Sequence, residues 1–355
     1  MIARRAMYAM LAATALSVAG ATFAAAPSSC TLVRVAEWHV RPTLGQPIVD
    51  GTINGHPVGI MIDTGATRSM IVRSAANRLD LIRRDTRSSR IMGIGGETAV
   101  EVLSVDEFAI GGDVRRQWRM LVAGEHDLGP DVSVILGEDF FGKADVEFDL
   151  GHNAIRLFQP RDCEGAPLAY WAAADPGAVE IEGGGAQRGI ALTVAINGRP
   201  VPALLDSGAY PSVVTKSQAA EVGITPDSPG VVAGGCSSGL GRKPIEYWIG
   251  PFASFRIGDE LIHDPTLRFA DLFKYSTLVP PGSHVARKPL DRPEMLLGAD
   301  FLRTHRVLVA HSQRKMYFTY EGGTVFPSLR SRACDDLQRR DSGAIPSSAG
   351  SRSPG

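Results

Sequence analysis

Two short stretches of this chain place a carboxylate beside a hydroxyl and a glycine: Asp63-Thr64-Gly65-Ala66 and Asp206-Ser207-Gly208-Ala209. Each follows an apolar run, at 58–62 and 201–205. A carboxylate at the tip of a buried strand is costly unless something pairs it or uses it. Two of them, 143 residues apart, are candidates to be each other's partner. Carboxyls that close cannot both ionise, so they share a proton and their apparent pKa values separate. The chemistry open to such a pair is general acid–base catalysis. The ionised member takes a proton from a water, and the protonated member donates to the carbonyl oxygen under attack. That step needs neither a metal nor an organic cofactor.

The surroundings of the two aspartates repeat as well. At the same offset, 54–81 and 197–224 align without a gap, and ten of the 28 pairs are identical. Asn54/Asn197, Gly55/Gly198, Ser69/Ser212 and Ala76/Ala219 are among them. Further on, Ile135-Leu136-Gly137-Glu138-Asp139-Phe140 returns as Leu296-Leu297-Gly298-Ala299-Asp300-Phe301. Two copies of this length make a duplicated lobe and not a solenoid. Each copy has the same order of parts. A hairpin turn at Asn-Gly leads into the apolar strand and the Asp loop. A short strand and helix follow, over 69–72 and 73–80 in the first copy, then a Gly-rich segment, the apolar pair with Gly-x-Asp-Phe, and a closing hairpin. In the second copy Thr215 and Gln218 stand at capping-box spacing, and Gly223 stands where a helix end favours positive φ.

This order of parts resembles the aspartic peptidases, in particular the bacterial retropepsin-like type, over roughly 45–158 and 189–319. The resemblance implies an all-β fold with short helices: two similar β-barrel-like lobes of acid-protease type, related by a pseudo-twofold about a central cleft. Asp63 and Asp206 are then the catalytic pair. Thr64 and Ser207 supply hydroxyls that bond across to the opposite loop, while Gly65 and Gly208 let the backbone pass close to the carboxylates. The Gly-rich segment with Gly93, Ile94, Gly95 and Gly96 becomes a flap that closes over bound substrate. Its counterpart at 231–241 carries Gly234, Gly235, Gly239 and Gly241. Pepsin-type enzymes tend to have Ser or Thr where this chain has Ala66 and Ala209. Alanine cannot hydrogen-bond a carboxylate and lower its pKa, so a rate optimum in weak rather than strong acid is expected. Ala66, Ala209 and Tyr210 are candidate substrate contacts, and Tyr210 either fills a subsite or packs between lobes.

The expected function is an exported aspartic endopeptidase, monomeric because both halves of the pseudo-dimer lie in one chain. Its partner is a peptide or protein substrate lying extended in the cleft. The alternative is a peptide-binding module that keeps the fold without catalysis. A weaker variant pairs the first lobes of two chains.

Composition agrees with a globular protein: 44% hydrophobic and 21% charged residues over 355, enough for two lobes. A net charge of −1, with no basic block, argues against nucleic acid. Residues 1–26 read as an export signal: Arg4-Arg5, an Ala-rich apolar run, then small residues before Pro27. An uncleaved membrane anchor is the competing reading, and with the leader removed no stable membrane partner is expected. The location is then periplasmic or extracellular. Four cysteines suit two disulfides in an exported protein. Three connectivities exist, and the positions of Cys30 and Cys163 at the flanks of the first lobe favour 30–163 with 236–334. The lobes are expected at 27–160 and 189–326, with a linker at 161–188, an insertion within 271–293, and a disordered tail at 327–355.

Other patterns carry less. Residues 91–96 resemble a phosphate loop but lie between no strand and helix, and no lysine follows at the required spacing. Gly235-Cys236-Ser237-Ser238-Gly239 satisfies G-x-S-x-G, yet Lys243-Pro244 follows instead of a helix, so turn chemistry is the better reading. No histidine is suggested as a base for a Cys236 thiol. The histidines are scattered, so hydrogen-bonded or surface roles outweigh metal ligation.

Overall fold

The computed structural model describes residues 30–124, 126, 128, 132–182, 189–276, 292–328 and 334, with the side chains of 87 and 88 left aside. The expected export signal lies outside the described residues, as do most of the expected insertion (277–291) and nearly all of the tail.

Each Asn-Gly pair makes the turn its sequence requires. Asn54 and Gly55 have φ of 49° and 79°, and Asn197 and Gly198 have 49° and 78°. Positive φ at both central positions matches the twist of a tight hairpin, and Asn and Gly tolerate it best. The turns join Ile48–Ile53 to His56–Ile62 and Ile190–Ile196 to Arg199–Leu205. The Asn54 side chain accepts from the backbone N–H of Asp106 and Glu107, and Asn197 accepts from those of Ala253 and Ser254. The repeat therefore extends to how each turn is tied to the next strand layer.

In the first lobe His56–Ile62 runs parallel to Val134–Leu136, which is antiparallel to Met70–Val72 on its other side. Asp113–Ala123 and Gly96–Ile110 continue the sheet, and Gly96–Ile110 pairs back onto Ile48–Ile53, closing a six-stranded ring. Its interior is apolar and fully buried, with Ile60, Ile62, Ile71, Phe108 and Val134 at 0% exposure. The second lobe repeats the central threading with Arg199–Leu205, Met295–Leu297 and Val213–Thr215. Where the first lobe has one strand of 15 residues, the second has two, Ile245–Pro251 and Ser254–Ile257. Pro251 has no N–H to donate to a ladder, which suits a strand end.

A third sheet joins the lobes. Asp145–Asp149 pairs antiparallel with His305–Ala310 of the other lobe, Phe148 opposite Val307. Ala154–Arg161 and Thr31–His39 extend it on one side, Lys315–Tyr320 and Gly177–Glu180 on the other. Glu147, 0% exposed, sits on this seam and accepts from Arg156 of the first lobe and Arg306 of the second. Removing either arginine would leave a buried charge short of a partner.

The segment read as a linker does more than connect. Over its described part, 161–182, it adds the strand Gly177–Glu180 and buries Leu168 and Ala169 against Phe158, Leu308 and Tyr317. Short apolar stretches among Gly, Ala and acid hid this packing. The disulfides are Cys30–Cys163 and Cys236–Cys334, the favoured pairing. The first staples the edge where Thr31 opposes Arg161. The second-lobe helix Lys216–Glu221 is capped by Thr215, whose Oγ1 accepts from Gln218 N, and Gly223 has φ of 84°. Its first-lobe counterpart is Arg73–Arg78, two residues shorter than the expected span.

Candidate active site

The buried parallel pairing in each lobe ends at an aspartate. Ile62 opposes Leu136 and Leu205 opposes Leu297, and one step later Asp63 N donates to Leu136 O and Asp206 N to Leu297 O. The two side chains approach each other, each against the opposite loop. The closeness is measured by the glycines. A Cβ built on Gly65 would lie 2.5 Å from the Asp206 carboxyl carbon, and one on Gly208 would lie 2.4 Å from that of Asp63. The carboxyls are half-buried and close enough to interact directly, each against the other's loop glycine. Each also accepts two backbone N–H bonds from its own loop. Asp63 Oδ1 takes Gly65 N and Ala66 N, and Asp206 Oδ1 takes Gly208 N and Ala209 N, all at 2.9–3.1 Å.

Burial raises the pKa of Asp63, and burial together with the Asp63 charge raises that of Asp206 further. The two loops make matching hydrogen bonds to their carboxyls, so a shared proton belongs to the pair and not to one residue.

Thr64 and Ser207, both buried, hold the loops together through four crossed hydrogen bonds. Thr64 N donates to Ser207 Oγ and Ser207 N to Thr64 Oγ1, at 3.0 and 2.9 Å. The hydroxyls donate in turn to Leu205 O and Ile62 O, at 2.6 and 2.8 Å. Every donor bonds across the lobe boundary, so the hydroxyls are satisfied only when the lobes meet.

A second brace went unremarked in the sequence. Ser69 donates from N and Oγ to Asp139, and Gly137 N donates to Ser69 Oγ. Ser212, Asp300 and Gly298 repeat the arrangement. Gly137 and Gly298 have no room for a side chain: a Cβ would fall 2.5 and 2.6 Å from the carbonyls of Ala66 and Ala209. The Asp loop is thus clamped from behind by the Gly-x-Asp-Phe segment. Ser69/Ser212 and Asp139/Asp300 are identical in both copies, and that was the available signal. Burial pushes Asp300 up to about 6.

The clamp is not symmetric at the next residue. Glu138 stands where the second copy has Ala299. Its Oε1 is buried without a hydrogen-bond partner, and burial with the Asp63 charge raises its pKa from 4.5 to about 7. A carboxyl with a folded-state pKa above its unfolded value favours the fold while protonated. Its contribution is full below pH 4.5 and lost as pH rises toward 7. Glu138→Gln should therefore flatten the fall in thermal stability between about pH 4.5 and 7. Unfolding midpoints that fall equally in both proteins over that range contradict this.

Gly93 to Gly96, the expected flap, form a two-residue turn, Gly93 opposite Gly96, with Ile94 and Gly95 at the tip. The second hairpin, Val232–Ser237 with Ile245–Pro251, reaches it directly. Gly241 N donates to Ile94 O at 2.9 Å and Lys243 N to Gly95 O at 3.1 Å. A Cβ on Gly241 would sit 2.3 Å from the Gly95 carbonyl carbon. Gly234 and Gly235 do not take part. They lie in the paired stem, at a bulge between Ala233 and Gly235. The contact falls to Gly239 and Gly241 farther along, because the seven residues between the two strands carry the loop past the stem.

Tyr210 lies half-buried in the second lobe, its ring 3.9 Å from a Cβ built on Gly45 of the first. Arg303 Nε donates to Gly45 O at the same place. Burial, then the Asp300 charge, raises the Tyr210 phenol. Ala66 and Ala209 form the far ends of the Asp loops and offer the carboxylates no hydroxyl. Cys236 is disulfide-bonded, and Ser237 lies in a strand followed by no helix. His305 is buried, its ring nitrogens beside Phe301 O and the Glu260 carboxylate.

A duplicated β lobe whose two Asp-hydroxyl-Gly loops meet face to face is the architecture of the acid proteases. A model of the family described as aspartyl protease matches residues 49–140 and 192–301, more than half of the chain. The chain belongs to the aspartyl protease family. A comparison with curated proteins finds no match. Among solved structures, a retropepsin-like aspartic protease from Rickettsia conorii is similar at 16% identity and a TM-score of 0.26, over 37% of this chain and 95% of that one.

Proposed function

We propose that the chain is an exported aspartic endopeptidase that works as a single chain, with Asp63 and Asp206 as the catalytic pair. The observation that carries this reading is the mutual approach of the two carboxyls, each packed against the other's loop glycine. The pair holds one proton between them. The ionised member draws a proton from a water lying between the two, and the resulting hydroxide attacks the scissile carbonyl carbon. The protonated member donates to the carbonyl oxygen, giving a neutral tetrahedral diol. Collapse of the diol returns a proton to the dyad, and a second proton passes to the leaving amine. Thr64 and Ser207 keep the carboxyls fixed, so little reorganisation accompanies the transfer. An extended substrate pairs its backbone with the flap strands.

Two disulfides support a location outside the cytoplasm. Among the described residues no helix is long and apolar enough to cross a membrane. The reading keeps residues 1–26 as a cleaved export signal.

The reading is tested by digesting a peptide library across pH, with and without a peptide mimic bearing a hydroxyl in place of the scissile carbonyl. Internal cleavage blocked by the mimic is expected. The rate should peak in weak acid, since burial raises both carboxyls and Ala66 and Ala209 supply no hydroxyl to lower them. A maximum below about pH 3, under the ordinary aspartate value, contradicts the pH argument. A library left intact at every pH contradicts the endopeptidase reading.

A further inference from the structure

A cavity of about 520 Å³ opens beside the second flap, lined by none of the dyad residues. Three lysines come to it from separate elements: Lys216 at the start of a helix, Lys243 in the flap loop and Lys274 after the strand Thr266–Ala270. Each ammonium lies over an aromatic ring. Lys216 Nζ is 4.6 Å from the ring centre of Trp248, and Lys243 and Lys274 Nζ are 4.6 and 5.5 Å from that of Tyr275. Among the described residues none of the three is in an ion pair, although Glu246 and Asp271 also line the cavity. Among the described lining residues three cations stand against two acids, a positive surplus. The Cys236–Cys334 disulfide fixes one wall. Lys243 belongs to the wall that also bonds the first flap, through its backbone N–H to Gly95 O.

We propose that this cavity is an exosite that holds an acidic stretch of the substrate polypeptide outside the cleft; the inference rests on the endopeptidase reading. Lysines are point charges without the planar fork of arginine. Three of them, spread over a rim, suit separate carboxylates along an extended chain better than one compact tetrahedral anion. The faces of Trp248 and Tyr275 cover the methylene stems of acidic side chains, as aromatic walls do in mixed binding sites. A segment bound here lies against the loop that meets the flap tip, so its neighbouring residues are delivered to the cleft mouth.

The test uses the full-length, disulfide-intact protein and a blocked hexaglutamate peptide, followed by tryptophan fluorescence and calorimetry. Binding is expected, weakened about ten-fold by Lys216→Glu with Lys274→Glu, the scale of two exposed charge contacts reversed. It should weaken similarly near 1 M salt, where screening acts within about 3 Å. Trp248→Phe should remove the fluorescence change and keep the calorimetric signal. A neutral fluorogenic peptide should be cleaved equally by wild type and the double variant. The same peptide carrying a hexaglutamate extension should show a lower KM with wild type alone, at unchanged kcat. No binding, equal binding by the double variant, or displacement by inorganic phosphate at equal concentration overturns the exosite. So does binding that appears only after residues 335–355 are removed, since the chain's own Asp335-Asp336 would then be the ligand. A protein that binds hexaglutamate yet cleaves no peptide sinks the endopeptidase reading and leaves the acidic-peptide site standing.

Discussion

Replacing either aspartate by asparagine, Asp63→Asn or Asp206→Asn, is expected to lower kcat/KM by at least about 10³-fold, within the range that general acid–base groups contribute. Asparagine keeps the shape of the side chain and an oxygen to accept the loop N–H groups of Gly65 and Ala66, or of Gly208 and Ala209. The fold should therefore survive. What is lost is a group able to hold or release the shared proton. Because the two loops bond their carboxyls in the same way, the two variants should be equally inactive. They should also be no less stable than wild type near neutral pH, since each removes one of two crowded carboxyls whose pKa values burial has raised. Steady-state kinetics with thermal unfolding checks both parts. If one variant keeps near-normal activity, the paired-carboxyl mechanism is wrong.

The second large effect comes from adding one carbon. Gly208→Ala would place its Cβ 2.4 Å from the Asp63 carboxyl carbon and 2.5–2.6 Å from its oxygens, and Gly65→Ala would crowd Asp206 in the same way. Neither glycine has a positive φ, so backbone strain does not enter. The three atoms nearest the added carbon all belong to the carboxyl group, which must turn out of the pair to make room. A loss of activity of about 10²-fold or more is expected, the range attached to a misplaced reacting group. The stability cost should be about 1–3 kcal/mol, as for other insertions into packed sites. Gly112→Ala is the control, since nothing lies within 4 Å of its added carbon. Full activity in Gly208→Ala would mean that the tight approach of the carboxyls is not what the chemistry uses.

These two effects also separate the layers of the site. In the proposed mechanism the aspartates supply the chemistry, and the glycines permit the approach. The crossed bonds of Thr64 and Ser207 hold it, and the Ser–Asp braces behind the loops fix where each strand ends. The same division explains why Glu138 stands out. It occupies a clamp position where the other lobe needs only Ala299, so its buried carboxyl is an addition to the repeat and not part of it.

Much of this was written along the chain. The apolar runs, the Asn-Gly turns, the capped second-lobe helix and the duplicated Asp loops all depend on residues a few positions apart, or on self-similarity that can be read without folding. Hence the two lobes, the meeting of Asp63 with Asp206 and the turn at Ile94-Gly95 were legible. Three features were not, because each joins residues far apart with no local mark. The sheet shared by Asp145–Asp149 and His305–Ala310 is fixed by two lobes docking edge to edge. Which part of the second Gly-rich segment meets the first was not marked: the contact falls to Gly239, Gly241 and Lys243 and not to Gly234 and Gly235, because loop length carries the backbone beyond the bulge. The segment after the first lobe packs its apolar residues where a connection alone was expected. The sequence determined which groups exist and which strands end in them. Only the tertiary structure decided the distances between them, since those depend on long-range packing, to which pattern and propensity are blind.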